Sequence, residues 1–169
     1  ESDLHSSILF LPFLYGTNVN IDAKGAFVGL KGGHGIADML RAIYEGVVFC
    51  HMYHIDRLLK FRERPETVRI AGGGARSAVW MQIFADALGA QVEVSEAEEL
   101  GAMGVAMVAG VGVGVFQDMY RAVERFTHIS RVYQPDPEKH AYYQKKYALY
   151  RRLIDALDPL WMEFDQLGE

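Results

Sequence analysis

The stretch VRIAGGGARSAVWMQIFADALGAQVEVS, from Val68 to Ser95, constrains the fold more than any other part of the chain. It opens with a short strand, and Gly72-Gly73-Gly74 then makes a turn. A helix follows that Gly89 stops, and Gln91 to Ser95 forms a second strand. Strand, turn, helix and strand in this order make a βαβ unit, and strands alternating with helices place the chain in the α/β class.

The flanking sequence extends the pattern. Ile8 to Asn20 reads ILFLPFLYGTNVN, a short buried strand and an exposed loop. After a turn at Asp22 to Gly25, AFVGL forms a second short strand ending near Gly32-Gly33. From there Ile36, Leu40, Ile43, Val47, Cys50 and His54 alternate four and three apart, with Leu58 four further on, which predicts one face of a helix reaching about Phe61. Pro65 ends it, because proline disfavours helical geometry in the residue before it. Glu98 to Gly110 is helical in period but rich in Gly and Ala. Each glycine there costs about 1 kcal/mol relative to Ala and permits close approach of a neighbour. Gln117 to Phe126 predicts a short helix and His128 to Tyr133 a strand. Asp136, Pro137 and Glu138 are a coherent start signal for a last helix, whose apolar face is Tyr143, Tyr147, Tyr150, Ile154, Leu157 and Trp161. No repeat and no linker rich in Gly, Ser or Pro divides the chain, so residues 1–169 read as one domain.

Composition narrows the function. With 169 residues, 50% apolar and 23% charged, the chain can bury a sizeable core and does not read as disordered. A net charge of −5 with no basic tract argues against nucleic acid or an anionic membrane as the main partner. The single Cys50 cannot form an intramolecular disulfide, which favours a cytoplasmic setting and a buried, unreactive thiol. No apolar run reaches the ~18 residues of a membrane span, and ESDLHSS lacks the pattern of a secretory leader. The start at Glu1 rather than methionine suggests a piece of something longer.

The triple glycine is the main candidate site. Without Cβ atoms, backbone N–H groups can approach an anion or a flat ring at a helix start, and Ser77 can cap the helix or offer a hydroxyl to a ligand. A tight strand-to-helix turn without any ligand accounts for the same residues equally well. The spacing is not GxGxxG, since Ser77 stands where the last glycine would be, and no Walker lysine follows. His51 and His54 share a helix face without a Cys or acidic residue to complete a metal set. His34 reads as a turn residue. Glu96, Glu98 and Glu99 suit the dipole of the following helix better than catalysis, and the tyrosines of the last helix read as core rather than base-stacking groups. No acid–base pair emerges. The residues by themselves point to a nucleotide or phosphate site.

Two stretches together resemble the FGGY carbohydrate kinases. Gly25-Ala26-Phe27-Val28-Gly29-Leu30, seven residues, then Asp38-Met39-Leu40-Arg41-Ala42-Ile43-Tyr44-Glu45 look like that family's C-terminal signature. AGGGARSAVWMQIFADALGAQVEV followed by EELGAMGVAMVAG looks like its adenosine-binding segment and the small-residue helix after it. The resemblance implies the C-terminal half of a two-domain, actin-like ATPase fold, built on a ribonuclease-H-like domain, with the N-terminal sugar-binding domain as its partner. It implies ATP and Mg²⁺ as cofactors. Gly73 would lie against the nucleotide, with Gly72 and Gly74 shaping the turn, Ser77 near the ribose or adenine, and Gln82 and Glu98 on the adenine side. The family's catalytic aspartate and phosphate loops are not recognisable here, so no catalytic residue is assigned and the chain by itself is expected to be inactive. Tyr15-Gly16-Thr17-Asn18 and EGVVFCHMYHIDRLL look more like L-xylulose kinases, which implies a ketopentose or a keto-gulonate as substrate, with D-xylulose and L-ribulose left open. Another actin-like ATPase, or a sugar-responsive regulator that kept the fold, are the alternatives. The long helices suit either a homodimer interface or core packing.

Overall fold

The computed structural model describes residues 6–96 and 99–167. Its elements follow in order: β1 (Leu9–Leu11), β2 (Ala26–Val28), α1 (Ile36–Leu58), β3 (Thr67–Ile70), α2 (Ala78–Leu88), β4 (Gln91–Ser95), α3 (Leu100–Gly112), α4 (Met119–Phe126), β5 (Ile129–Tyr133), α5 (Pro137–Leu157) and α6 (Trp161–Gln166). They gather into two compact units, one made of the residues up to Arg64 and from Pro137 onward, the other of Pro65–Asp136.

In the first unit β1 and β2 pair antiparallel, with Phe10 opposite Phe27 and their rings 4.6 Å apart. The start of α1 is fixed by the Asp38 carboxylate, which accepts from Gly35 N–H at 2.9 Å. Gly46 presses α1 onto β1. A Cβ there would sit 2.2 Å from the Phe10 carbonyl oxygen, so only glycine fits. The buried face of α1 is Ala42, Glu45, Gly46, Val48, Phe49 and Met52, which corrects the predicted stripe. Ile36, Leu40 and Leu58 of that stripe are 78%, 55% and 64% exposed. The true face lies one residue, about 100°, around the helix. Two contacts select it, the close approach at Gly46 and the burial of Glu45, and neither registers as hydrophobicity.

Helix α5 packs on that face. Phe49 lies among the rings of Tyr143, Tyr147 and Tyr150, with centroids 6.2, 5.7 and 5.4 Å away. Between the helices Glu45 and Lys146 form a buried pair, Nζ to Oε2 2.6 Å, and Lys146 also donates to the Ser6 carbonyl at 2.7 Å. The second Glu45 oxygen accepts from Arg41 Nε at 2.9 Å and from Tyr143 Oη at 3.2 Å. Burying charge is tolerable only when paired and hydrogen-bonded in this way. The predicted last helix is interrupted where Pro159 cannot donate: Asp158–Leu160 is a 3₁₀ turn, and the chain resumes as α6 with Trp161 buried.

The second unit is a three-stranded sheet in the order β3-β4-β5, β3 and β4 parallel, β4 and β5 antiparallel. The βαβ unit read from sequence is present. Helix α2 covers the sheet with Met81, Ile83, Phe84, Ala85, Ala87 and Leu88, all buried. Gly89 ends it in the left-handed conformation at φ 63° and donates to Ala85 O. Helix α3 buries only Met107 among its described residues and leaves Val105 and Val108 exposed. No helix of the described chain is long and apolar enough to cross a membrane.

Candidate functional site

Because β3 and β4 run parallel with Ile70 opposite Val94, their C-terminal ends lie side by side. Ligands of α/β folds bind at such ends. A cleft of about 90 Å³ opens there, walled by Ile70, Gly72 and Arg76 from the first strand end, by Ser95 and Glu96 from the second, and by Arg131 of β5.

Gly72, Ala75 and Arg76 of the glycine turn line one wall, whereas Gly73, Gly74 and Ser77 do not line the cleft. The three glycines differ physically. Gly72 has φ +98° and ψ −177°, a conformation open almost only to glycine. Gly74 lies under an aromatic ring, where a Cβ would stand 2.8 Å from Trp80. Gly73 has neither reason: its φ is not positive, and a Cβ there would meet no atom of the described residues within 4 Å. The turn is a 3₁₀ segment, Gly73–Arg76, closed by Ala75 N–H to Gly72 O at 3.0 Å and Ser77 N–H to Gly74 O at 3.1 Å. Neither bond uses the amide of Gly73 or Gly74. Ser77 Oγ accepts from Trp80 N–H at 3.3 Å, the N-cap of α2 that the sequence suggested.

Two arginines bring positive charge to the cleft. Arg131 Nη2 donates to the Ala75 carbonyl at 3.0 Å, tying the turn to β5, while Arg76 lines the wall from within the turn. Guanidinium groups suit phosphate oxygens. Ser130 Oγ holds the Val94 carbonyl at 3.1 Å and keeps β5 registered on β4 across the bulge at Val94/Ser95. Sequence reasoning passed over Arg131 and Ser130. No local motif marks them, since they reach the turn only through the pairing of β5. Arg76 was visible, sitting inside the glycine motif.

The other expected residues fall differently. Gln82 does not line the cleft: its Nε2 donates to Asp86 Oδ1 and to the Gln134 carbonyl, both at 2.8 Å, and so ties α2 to the segment after β5. Glu98 lies outside the described residues. Glu96 lines the cleft and Glu99 stands exposed before α3. His34 Nδ1 accepts from Lys31 N–H at 3.0 Å, the turn role expected for it. Burial lowers the His51 pKa, with His54 adding to the effect, and burial pushes the Cys50 thiol up, away from nucleophilic use. Among the described residues no group of three or more His, Cys, Asp or Glu could hold a metal ion.

The C-terminal domain of the FGGY family of carbohydrate kinases matches residues 4–113. The L-xylulose/3-keto-L-gulonate kinase of Escherichia coli K12 is 43% identical over 150 residues, covering 89% of this chain and 30% of that kinase. A probable L-xylulose kinase of Pasteurella multocida is 38% identical over 152 residues, covering 90% of this chain and 30% of that protein. Among solved structures, a ligand-bound xylulose kinase from Lactobacillus acidophilus superposes with a TM-score of 0.87 at 28% identity, covering 96% of this chain and 34% of that one. This chain thus spans about a third of the length of the proteins it matches. It has the C-terminal part of the actin-like ATPase fold and belongs to the FGGY family of carbohydrate kinases.

Proposed function

We propose that this chain supplies the nucleotide-holding part of an ATP-dependent kinase for a ketopentose such as L-xylulose, or for a keto-gulonate. The observation that carries the nucleotide reading is Gly73. Its neighbours Gly72 and Gly74 are accounted for by backbone conformation and by Trp80, whereas nothing in the fold asks for a missing side chain at 73. A ligand lying against the backbone there would ask for it. The Gly73 and Gly74 amides, which the two turn-closing bonds leave out, and the Arg76 and Arg131 guanidiniums, which line the cleft, are the donors that would hold ATP, and Ser77 caps α2 at the end of the turn. Gln82 serves as a brace behind the site.

ATP supplies the phosphoryl group that a sugar hydroxyl accepts. This chain's contribution is to bind and orient the nucleotide. No catalytic base is assigned among its residues. The described side chains offer no carboxylate cluster for Mg²⁺, so no step is assigned to a metal held by this chain. The names of the two kinases reported above support the choice of acceptor, as does the Tyr15-Gly16-Thr17-Asn18 loop. That loop is braced on itself, Thr17 Oγ1 accepting from Asn20 N–H at 2.9 Å. A cytoplasmic setting, where ATP is available and Cys50 remains a free thiol, belongs to the same proposal.

The test is ADP release by the intact protein with L-xylulose, 3-keto-L-gulonate, D-xylulose and L-ribulose. Turnover is expected first with L-xylulose or 3-keto-L-gulonate. Failure with every sugar would overturn the kinase reading, and a preference for another acceptor would overturn the substrate class alone.

A further inference from the structure

The first unit contains a cavity that the nucleotide reading does not use. It measures about 150 Å³ and lies between the loop after β1 and the helices α1 and α5. Phe13, Tyr53, Tyr150 and Trp161 give it aromatic walls, Thr17 and Asn18 a polar edge, and Cys50 and His54 line it from successive turns of α1.

Tyr150 is the anomaly. Of the three buried tyrosines of α5, Tyr143 bonds to Glu45 at 3.2 Å and Tyr147 to Asp56 at 2.7 Å. Tyr150 is 0% exposed and its hydroxyl has no hydrogen-bond partner among the described residues. The groups acting on it electrostatically include Cys50 and Tyr53, both lining the same cavity. A buried hydroxyl left unpaired is costly, and phenylalanine would avoid that cost at the same size. Tyr150 lines the cavity, and an occupant that reached its hydroxyl would supply the missing bond.

The walls define the class of occupant. Among the described residues no Lys or Arg lines the cavity, and its carboxylate, Asp158, is already engaged by Asn20 Nδ2 at 2.7 Å. A phosphorylated sugar or a nucleotide would therefore enter without a countercharge. The volume equals about five waters at ~30 Å³ each, well below that of a drug-sized site. Aromatic faces beside isolated hydroxyl and amide groups suit a molecule with C–H faces and O–H edges. We propose that this cavity is a second binding site for a small neutral polyol or sugar, anchored by the Tyr150 hydroxyl and separate from the glycine turn of the second unit.

Trp161 lines the cavity and the sequence holds one other tryptophan, so a Trp80→Phe chain reports from Trp161 alone. Titrating that chain with xylitol and with glycerol is expected to give a saturable fluorescence change, and D-xylulose 5-phosphate none. Adding Tyr150→Phe should weaken the response about tenfold, the loss of one hydrogen bond, while the melting temperature holds or rises. Ile154→Phe narrows the cavity without touching the hydroxyl and should abolish the response. The inference is overturned by an absent or non-saturable change, by equal affinity in the Tyr150→Phe chain, or by an equal response to the phosphorylated sugar. A lower melting temperature in Tyr150→Phe without polyol would assign the hydroxyl to structural water and overturn it as well. None of these readouts requires kinase activity or bound nucleotide.

Discussion

Alanine replacement of the three turn glycines, one at a time, separates what the fold needs from what the ligand needs. At Gly72 the backbone sits at φ +98° and ψ −177°, and forcing an L-residue into that region costs about 1–3 kcal/mol. At Gly74 a methyl group would come within 2.8 Å of the Trp80 ring, an overpacking that also costs about 1–3 kcal/mol. At Gly73 there is no contact within 4 Å and no positive φ, so Gly73→Ala should be neutral or stabilising by about 0.4–1 kcal/mol through the unfolded chain. For a chain of 169 residues each kcal/mol moves the melting temperature by roughly 2–4 °C. Gly72→Ala and Gly74→Ala should therefore melt lower by several degrees, and Gly73→Ala should not. Nucleotide affinity runs the other way, with Gly73→Ala losing tenfold or more, ~1.4 kcal/mol, in ATP titration of the stable variant. Thermal unfolding and ATP binding on the same preparations check both orders. Unchanged ATP affinity in Gly73→Ala, or a melting loss equal to that of Gly72→Ala, would refute the reasoning.

Two further perturbations probe the first unit. Lys146→Met leaves the buried Glu45 carboxylate without its 2.6 Å partner and should cost about 3–5 kcal/mol in urea unfolding, nearer the lower figure because Arg41 still holds one oxygen. A loss below ~1 kcal/mol would show that the pair contributes nothing to the packing of α1 on α5. Tyr143, Tyr147 and Tyr150 all have pKa values raised first by burial, Tyr143 further by the Glu45 carboxylate and Tyr147 by its bond to Asp56. Their folded values lie above the unfolded phenol value of about 10, so the stability they contribute is complete below that pH and is lost as pH rises beyond it. Absorbance titration should show these three of the nine tyrosines ionising only with unfolding, and ionisation of all nine in a folded chain would contradict the burial.

The second unit was legible because its signals are local. Gly72 to Ser77 contains its own turn and cap, Gly89 its own stop, and β4 alternates buried Val92 and Val94 with less buried neighbours. The face of α1 was not legible, because periodicity ranks residues by apolarity while the packing is decided by Gly46 against β1 and by Glu45 against Lys146, 101 positions away. The same distance problem hid Arg131, which joins the cleft only through the β4–β5 register. Gln82 was expected on the adenine side from the family resemblance alone, and its amide is committed to Asp86 and the Gln134 carbonyl, a segment more than fifty residues on that spacing could not align with it. Pro159 did carry a local warning. The apolar stripe from Tyr143 to Trp161 ran through it without a break in period, so the 3₁₀ interruption was missed.

The claim that the glycine turn at the ends of β3 and β4 holds the nucleotide is tested most directly by amide chemical-shift mapping of the chain during ATP titration. The account predicts saturable shifts centred on Gly73 and Gly74 and extending to Arg76 and Ser77, with Gln82 Nε2 unmoved in its bonds to Asp86 and Gln134. Saturable binding whose shifts leave residues 72–77 unchanged would contradict it.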